Sequence, residues 1–441
     1  MVLLYVIFSM ENLNEYLGGR IFNLKELDSE VATELLRIGS QTVPASFEKN
    51  GRSFCRRCLM EIASLPIDFS YCRNCLNLGK IQSADQLLIS PSDVSFPQLS
   101  RYLEWNGQLT SQQQKGTEEL ITAFRNHKDH LVWAVTGAGK TEMIFPLIEQ
   151  ILLQQKRVAI CSPRVDVCIE LFPRIQQVFP QVSIGLFHGK SEEKYHLTQI
   201  MIATVHQLVR FEKAFDVLII DEVDSYPLAG NEMLHRAIQK AKKADGIIVY
   251  LSATPPKELL KQNLTISKLY QRFHGHPLPE PQCHLLFKQI EFWGINPILR
   301  RRLTKLIRNK ERFMIFFPQI PMMKSFAKQL NKLYPSLTFV DVSSKDEQRL
   351  EKVQQFREQQ VQAILTTTIL ERGVTFKRIT VIVLEAQAKE FSKTSLIQIA
   401  GRAGRAADSF DDEVHFYYQY YNRQIREACL EIAYLNREAK K

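Results

Sequence analysis

Short apolar runs alternate with amphipathic stretches over most of the chain. The runs are five or six residues long and carry few charges, which is typical of strands buried on both faces. The amphipathic stretches between them predict helices, and strands that alternate with helices predict a parallel sheet. The first group of runs is LVWAV at 131, RVAICS at 157, VSIGLF at 182, QIMIAT at 199, DVLII at 216 and IIVYLS at 247. The second group is RFMIFF at 312, LTFVDV at 337, VQAILT at 361, ITVIVL at 379 and EVHFYY at 413.

The two groups of runs predict two tandem α/β domains with a cleft between them. We place the first domain at residues 91–285 and the second at residues 286–441. The Pro-rich stretch 274–282 is the predicted connector. Residues 1–90 carry two pairs of cysteines instead and predict a small N-terminal module. A chain of 441 residues is longer than one hydrophobic core normally serves, which agrees with this division.

A glycine-rich segment follows the first apolar run and precedes a stretch with helical periodicity. Its residues are Thr136, Gly137, Ala138, Gly139, Lys140 and Thr141. Glycines allow backbone N–H groups to turn toward a phosphate, and the N-terminus of the following helix adds partial positive charge. In such a loop Lys140 reaches the β- and γ-phosphates of ATP and Thr141 holds Mg²⁺. The alternative is a chance glycine-rich turn, which the flanking strand and helix disfavour.

The run DVLII leads directly into a pair of carboxylates, Asp221 and Glu222. Acidic residues at the end of a buried strand are costly unless they meet a cation or polarise a water molecule. We expect Asp221 to bind Mg²⁺ through its water shell and Glu222 to act as general base on the attacking water. A solvated acidic turn is the alternative.

The second domain carries a Gly-Arg repeat and a threonine-rich strand end. Arg402 and Arg405 stand beside small residues, and their guanidinium groups are candidates for neutralising charge on the transferred phosphoryl group. The alternative is a basic surface turn. In the strand end, the hydroxyls of Thr366, Thr367 and Thr368 are candidate contacts for a nucleic-acid backbone, and Gly373 is a candidate for close approach to the nucleotide.

The N-terminal cysteines form two C-x₂-C pairs, Cys55 with Cys58 and Cys72 with Cys75. Four thiolates at this spacing close a tetrahedral Zn²⁺ site and leave no open ligand position, so we predict a structural zinc ion. A redox role would suit one such pair better than two. Arg56 and Arg57 lie inside the first pair and Arg73 inside the second, and all three are candidate phosphate contacts or solvated residues.

The chain is basic, with 57 Lys and Arg against 47 Asp and Glu. A net charge of +10 favours a polyanionic partner such as nucleic acid. An uninterrupted apolar run of about 18 residues would be needed for a membrane span, and we find none. The start MVLLYVIFSM is apolar but short and lacks a basic leader and a small-residue cleavage site, so we do not expect a signal peptide. Met10 is an alternative start to Met1. We therefore expect a cytoplasmic protein without disulfides.

In their order and spacing these motifs resemble those of superfamily 2 helicases over roughly residues 105–410. The resemblance implies two RecA-like domains and assigns roles to residues that spacing alone does not. It implies that Gln113 reads adenine and that Ser252, Thr254 and Gln398 couple hydrolysis to domain movement. It also implies contacts to the backbone of one nucleic-acid strand by Arg164, Thr204 and Thr367.

Within this superfamily the chain is similar to the ComFA family of late-competence ATPases. The similarity lies in SPRVDVCIEL at 162, DEVDSYP at 221, TTTILERGVTF at 366 and the four-cysteine module. It implies translocation of single-stranded DNA during natural transformation. Its implied partners are ComFC and the membrane DNA-uptake channel, at the inner face of the cell membrane. Three alternatives stay open: a primosomal-type replication-restart helicase, a zinc-dependent nucleic-acid scaffold with a lapsed ATP cycle, and an RNA substrate.

Overall fold

The computed structural model describes residues 13–62, 70–189, 191, 194–286, 295–372, 376–404 and 412–440. The chain divides into two compact units. The first comprises Met1–Trp133 and Lys140–Lys268, and the second comprises Ala134–Gly139 and Leu269–Lys441. Each unit has a parallel sheet and a hydrophobic core of its own.

The N-terminal part of the first unit is a small antiparallel structure. Three strands pair in the order β1-β5-β2, and β3 and β4 form a hairpin that ends at Cys55. The one α-helix described here begins after Asp28, whose carboxylate accepts a hydrogen bond from the N–H of Glu30 at 2.8 Å. The elements are β1 (Ile21–Asn23), α1 (Ser29–Arg37), β2 (Gln41–Pro44), β3 (Ser46–Lys49), β4 (Arg52–Cys55) and β5 (Gln86–Ile89).

The first unit also holds a seven-stranded sheet in the order β12-β6-β11-β10-β7-β9-β8. The pairings from β6 across to β8 are parallel, and the central strands are buried along almost their whole length. The strands are β6 (His130–Ala134), β7 (Val158–Ser162), β8 (Ile184–Phe187), β9 (Ile200–Thr204), β10 (Phe215–Asp221), β11 (Lys242–Ser252) and β12 (Thr265–Leu269).

The helices of this unit alternate with its strands, as expected for parallel connections. Thr110 and Gln113 form a capping box at the start of the first of them, where each side chain binds the other's backbone N–H. The helices are α2 (Ser111–Arg125), α3 (Lys140–Leu153), α4 (Val165–Val178), α5 (Glu232–Ala241) and α6 (Lys257–Leu260).

The second unit contains a six-stranded sheet in the order β13-β18-β17-β14-β16-β15, with every neighbouring pair parallel. Its strands are β13 (Gln282–Leu285), β14 (Phe313–Phe316), β15 (Phe339–Val342), β16 (Ala363–Thr366), β17 (Thr380–Val383) and β18 (Val414–Tyr418). Its helices are α7 (Pro297–Arg308), α8 (Ile320–Leu333), α9 (Arg349–Arg357), α10 (Lys393–Ala400) and α11 (Arg423–Glu438).

These two sheets confirm the predicted fold class of two parallel-sheet α/β domains with an N-terminal four-cysteine module. All the apolar runs of the sequence became strands, whereas β12, β13 and the short N-terminal strands were not predicted. Strand β12 alternates exposed and buried residues, so it lacks the uninterrupted apolar pattern of the central strands. Among the described residues, every helix is too short or too polar to cross a lipid bilayer.

Candidate nucleotide site and cysteine cluster

The glycine-rich loop has the strand–loop–helix context that the sequence predicts. Strand β6 ends at Ala134 and helix α3 begins at Lys140, with Thr141 as its second residue. Gly137 and Gly139 have φ values of +79° and +74°, a region that disfavours residues with a Cβ. The turn is closed by the N–H of Ala138, which donates to the carbonyl of Val135 at 3.1 Å. The loop is therefore shaped by two left-handed glycines immediately before a helix N-terminus, as phosphate binding requires.

Within the second unit, hydrogen bonds join the segment after β12 to the backbones of the Gly-Arg repeat and the glycine-rich loop. Arg272 makes the contacts to the Gly-Arg repeat. Its Nη2 donates to the carbonyls of Gly401 at 3.3 Å and Ala403 at 2.9 Å. The neighbouring N–H of Phe273 donates to the carbonyl of Gly137 at 3.0 Å. Arg272 is almost fully buried, and burial lowers its pKa to about 10. This arginine is a functional candidate that sequence reasoning missed, because a single arginine in an irregular segment carries no pattern.

Two side-chain hydrogen bonds join the acidic strand end to the Ser-Ala-Thr segment, and a third lies within that segment. The carboxylate of Asp224 accepts from Ser252 Oγ at 2.6 Å and from Thr254 Oγ1 at 2.7 Å. The N–H of Thr254 donates to Ser252 Oγ at 3.0 Å. Asp221 is the last residue of β10 and pairs in register with Leu251 of β11, which brings the two segments to the same edge of the sheet.

Glu222 stands between Asp221 and this hydrogen-bonded cluster with an unusual backbone conformation. Its φ is +52°, and its N–H donates to Asp221 Oδ1 at 2.8 Å. A non-glycine residue with positive φ is uncommon and indicates that its surroundings hold it in place. The carboxylate predicted to be the general base is thus positioned by a tight turn at the end of β10.

Asp224 forms a hydrogen-bonded group with Ser252 and Thr254, and the sequence analysis assigned it no role. Ser252 and Thr254 were predicted as coupling residues by resemblance, and the structure places Asp224 as the acceptor for both hydroxyls. Its sequence signal is its position in the acidic box, three residues after Asp221. The roles predicted for Lys140, Thr141, Asp221 and Glu222 stay predictions, because they concern bound nucleotide.

In the second unit, the predicted arginine finger Arg402 contacts the threonine-rich segment of its own domain. Its Nε donates to the carbonyl of Glu371 at 2.9 Å, and its side chain is buried. Ser395 Oγ hydrogen-bonds the carboxylate of Glu371, and Gln398 is buried on the same helix, α10. Arg405 and Gly373 lie outside the described residues. The finger roles of both arginines therefore stay predictions.

The remaining predicted contact residues occupy element ends. Arg164 precedes α4 and binds both carboxylate oxygens of Asp166, at 3.2 and 2.8 Å. Thr204 ends β9, and Thr367 precedes a short 3₁₀ turn at the end of β16; both are buried. Gln113 Oε1 accepts a hydrogen bond from the N–H of Thr110 at 2.8 Å, within the capping box. Their roles toward adenine and DNA stay predictions.

The four N-terminal cysteines converge in the interior. Their Sγ atoms all lie within 4.8 Å of one another, and each residue is fully buried. Cys58 and Cys72 are 3.3 Å apart at Sγ, and Cys55 and Cys75 are 3.8 Å apart. Zn–S bonds of about 2.3 Å place tetrahedral sulfur atoms about 3.8 Å apart, so the cluster fits Zn²⁺. A disulfide would bring two sulfur atoms to about 2.05 Å, and all four are free.

Buried cations hold this cluster against the first α/β domain. Lys240 on α5 donates to the carbonyls of Arg57 and Val209, the second at 3.0 Å. Burial lowers the pKa of Lys240 to about 8, while the charge of Glu212 and then the nearby cysteines oppose this shift. Arg57 is buried and donates to the carbonyls of Cys75 and Gly79, so its prediction as a phosphate contact or a solvated residue was wrong. The sequence pattern does not distinguish an arginine that donates to backbone carbonyls around the cysteine cluster from an exposed arginine.

Two family models match the chain. The model of the type III restriction enzyme res subunit covers residues 106–257, and that of the helicase conserved C-terminal domain covers residues 298–407. The matches coincide with the two parallel-sheet domains and imply ATP, Mg²⁺ and nucleic acid as ligands.

Two curated relatives align with most of the chain. Competence protein ComFA of Streptococcus pneumoniae is 39% identical over 435 residues, which cover 96% of this chain and 98% of the relative. ComFA of Bacillus subtilis is 38% identical over 378 residues, covering 84% of this chain and 81% of the relative. The chain belongs to the ComFA family. It is therefore a competence-associated, ATP-dependent helicase of superfamily 2.

More distant comparisons agree on the fold of this ComFA-family chain. Yeast Dbp5 bound to RNA and ADP BeF3 superimposes with a TM-score of 0.52 at 15% identity, covering 74% of this chain and 92% of Dbp5. Such low identity shows the fold alone. Replication restart protein PriA of Helicobacter pylori is 25% identical over 45% of this chain. The four-cysteine module is included in the 96% of the chain that aligns with ComFA, which favours that family over the primosomal alternative.

Proposed function

We propose that this ComFA-family chain is an ATP-driven translocase that moves along single-stranded DNA during DNA uptake in natural transformation. The observation that carries the proposal is the alignment of almost the whole chain with competence proteins. The hydrogen-bonded cluster around Asp224 supports it, because it joins the predicted hydrolytic carboxylates to the predicted coupling residues.

In this proposal the first domain's own residues bind and orient ATP. The loop amides and Lys140 hold the phosphates, Thr141 and Asp221 hold Mg²⁺, and Glu222 accepts the proton of the attacking water. Mg²⁺ supplies charge neutralisation on the phosphate oxygens when bound. Gln113 contacts adenine, and Arg402 and Arg405 neutralise charge on the transferred phosphoryl group.

DNA contacts in this proposal go to phosphate and sugar rather than to bases. Arg164, Thr204 and Thr367 contribute them, so affinity falls with salt and shows little sequence preference. The zinc ion held by the four cysteines stabilises the N-terminal module and takes no part in hydrolysis, because a closed four-thiolate shell has no open position. We further propose ComFC and the membrane DNA-uptake channel as partners, at the inner face of the cell membrane.

The decisive experiment compares ATP hydrolysis with single-stranded DNA, duplex DNA, RNA and no nucleic acid. We expect strong stimulation by single-stranded DNA. Lys140→Ala and Glu222→Gln should each lower the stimulated rate by roughly 10²-fold or more, since each removes a group that acts on the transition state. Lys261→Ala and Glu258→Gln, exposed residues of the same unit, are the matched controls.

Full turnover by Lys140→Ala or Glu222→Gln would contradict the site. Stimulation of ATP hydrolysis by RNA but not by single-stranded DNA would contradict DNA as the substrate. Efficient strand separation of duplex forks, with no movement along single strands, would favour the replication-restart alternative. Absence of hydrolysis under every condition would favour a nucleic-acid scaffold with a lapsed ATP cycle.

A further inference from the structure

The first unit contains a pocket at which the N-terminal region meets the segment that follows β9. The pocket has a volume of about 150 Å³, which is smaller than the roughly 300–1,000 Å³ of sites that enclose a drug-sized ligand and has room for a group the size of a phosphate. The residues that matter for its chemistry are Arg20, Phe187, Tyr195, Gln207, Arg210 and Phe211. Among the described residues that line it there is no carboxylate.

Two guanidinium groups give this pocket its charge. Arg20 Nη1 donates to the carbonyl of Glu15 at 2.7 Å, but its Nε is buried without a hydrogen-bond partner among the described residues. Within the same described part of the chain, the Arg210 side chain makes no hydrogen bond or ion pair. Burial is the main reason why the pKa values of Arg20 and Arg210 are lowered, and the charge of Arg210 contributes to the lowering at Arg20. The charge of Glu15 opposes the lowering at Arg20, and that of Glu26 opposes it at Arg210, but neither glutamate is among the described residues that line the pocket. Two neighbouring cations with spare donors therefore make this part of the lining a candidate anion site.

The walls of the pocket are aromatic and held in place. The Tyr195 ring lies 5.1 Å from that of Phe187 and 5.5 Å from that of Phe211, measured between ring centroids. Its hydroxyl accepts from Arg157 Nη2 at 2.8 Å and donates to the carbonyl of Leu17 at 3.0 Å. The Arg20 guanidinium lies over the face of this ring, 4.3 Å from its centroid, so the fixed ring of Tyr195 holds Arg20 in place at the pocket.

Two residues that line the pocket follow closely after Thr204, which is predicted to contact the DNA backbone. Gln207 and Arg210 belong to the 3₁₀ turn Val205–Arg210, which directly follows Thr204. The Gln207 amide has no hydrogen-bond partner in the described part of the chain and lines the pocket. Side-chain amide and guanidinium groups are among the donors with which proteins bind the phosphate oxygens of a nucleic-acid backbone.

We propose that this pocket binds a phosphate group of the translocated DNA strand at the two arginines. The proposal rests on the proposed function, because it takes single-stranded DNA as the substrate. It adds a contact supplied by the N-terminal region, through Arg20, to the contacts predicted for the α/β domains.

The test uses the full chain and fluorescence anisotropy of a labelled oligothymidylate at several salt concentrations. Arg210→Gln and Gln207→Glu are the informative variants, because neither side chain makes an internal hydrogen bond in the described structure that its loss would break. We expect each to raise the Kd about tenfold, and Arg210→Gln to flatten the plot of log K against log salt by about 0.7 for a lost phosphate contact. Arg210→Lys should recover most of the affinity.

Arg125→Gln, which removes an exposed arginine of α2, is the control and should bind as the parent chain does. Thermal unfolding checks that every variant is folded. Unchanged oligothymidylate binding by folded Arg210→Gln and Gln207→Glu would overturn the pocket while leaving the proposed function intact. Failure of the parent chain to bind the oligothymidylate would overturn both.

A second experiment measures the binding of thymidine monophosphate by calorimetry. It distinguishes a site for the DNA strand from a site for a free nucleotide. Weak or absent binding of the monophosphate, together with the loss of oligothymidylate affinity, supports the strand. Binding of the monophosphate that Arg210→Gln abolishes, with oligothymidylate affinity unchanged, would assign the pocket to a free nucleotide and overturn the proposal.

Discussion

Asp224 organises the acidic strand end at the scale of single residues. It accepts hydrogen bonds from two hydroxyls, Ser252 Oγ and Thr254 Oγ1, that follow the neighbouring strand. A carboxylate accepting two short hydrogen bonds makes charge-assisted contacts that are stronger than neutral ones. We therefore expect a change at the Asp221–Glu222 turn to reach the segment after β11 through Asp224.

We predict that Asp224→Asn separates hydrolysis from movement. An asparagine side chain has one acceptor oxygen and one amide donor, so it cannot accept from both hydroxyls in the present geometry. Single-strand translocation should fall at least about tenfold while DNA-stimulated ATP hydrolysis stays within about threefold, which corresponds to less than about 1 kcal/mol in the hydrolytic barrier. Translocation is measured by displacement of a streptavidin block and hydrolysis by phosphate release.

The variant with both Ser252→Ala and Thr254→Val tests whether these groups act as one unit. It should reproduce the Asp224→Asn phenotype, and combining all three changes should add little, because contacting residues are not additive. If the losses of translocation add fully in the combined variant, Asp224 acts through contacts other than those to Ser252 and Thr254.

At the scale of elements, the four-cysteine module is packed into the first α/β domain. Cys55, Cys58, Cys72 and Cys75 belong to the same buried cluster as Leu218 of β10 and Ile248 of β11. Lys240 and Arg236 of α5 also donate to backbone carbonyls of the first knuckle. We therefore expect loss of a metal ion from the four cysteines to destabilise the sheet that carries the acidic residues.

We predict that Cys72→Ala removes zinc and destabilises the first α/β domain. Structural zinc contributes roughly 10–16 kcal/mol of binding free energy to small modules, so several kcal/mol should be lost from a domain that shares its core. The expected result is loss of zinc by elemental analysis and a lower Tm, by about 10 °C or more. Cys283→Ala, at an exposed cysteine, is the control. A parent-like Tm in a zinc-free Cys72→Ala protein would show that the module is only loosely attached.

At the scale of the whole molecule, the chain consists of two compact units with separate cores. Leu218 is fully buried in the first core and Leu303 in the second. Cores that share no residues are expected to melt as separate cooperative units.

Calorimetry of the full chain should therefore show two unfolding transitions. Leu218→Ala and Leu303→Ala each create a cavity that costs about 2–5 kcal/mol, and each should lower a different transition. Zinc removal should lower the same transition as Leu218→Ala. A single transition that shifts equally for both variants would contradict independent cores.

Much of the architecture follows from patterns that act locally. Uninterrupted apolar runs such as DVLII must be covered on both faces, which requires a sheet with helices on each side. Two C-x₂-C pairs define a metal site, because few other arrangements bring four thiols together. The phosphate loop is equally local, since Gly137 and Gly139 provide backbone freedom next to a helix N-terminus. These features were predictable from the sequence.

The contacts of individual polar side chains were decided by tertiary structure. Arg57 is buried against knuckle carbonyls, Arg272 against the carbonyls of Gly401 and Ala403, and Asp224 between two hydroxyls. Each partner lies at least about 18 residues away in the chain, and a hydrogen bond depends on ångström-scale position that periodicity does not encode. Local pattern thus determined which elements and motifs exist, whereas folding determined which polar groups meet.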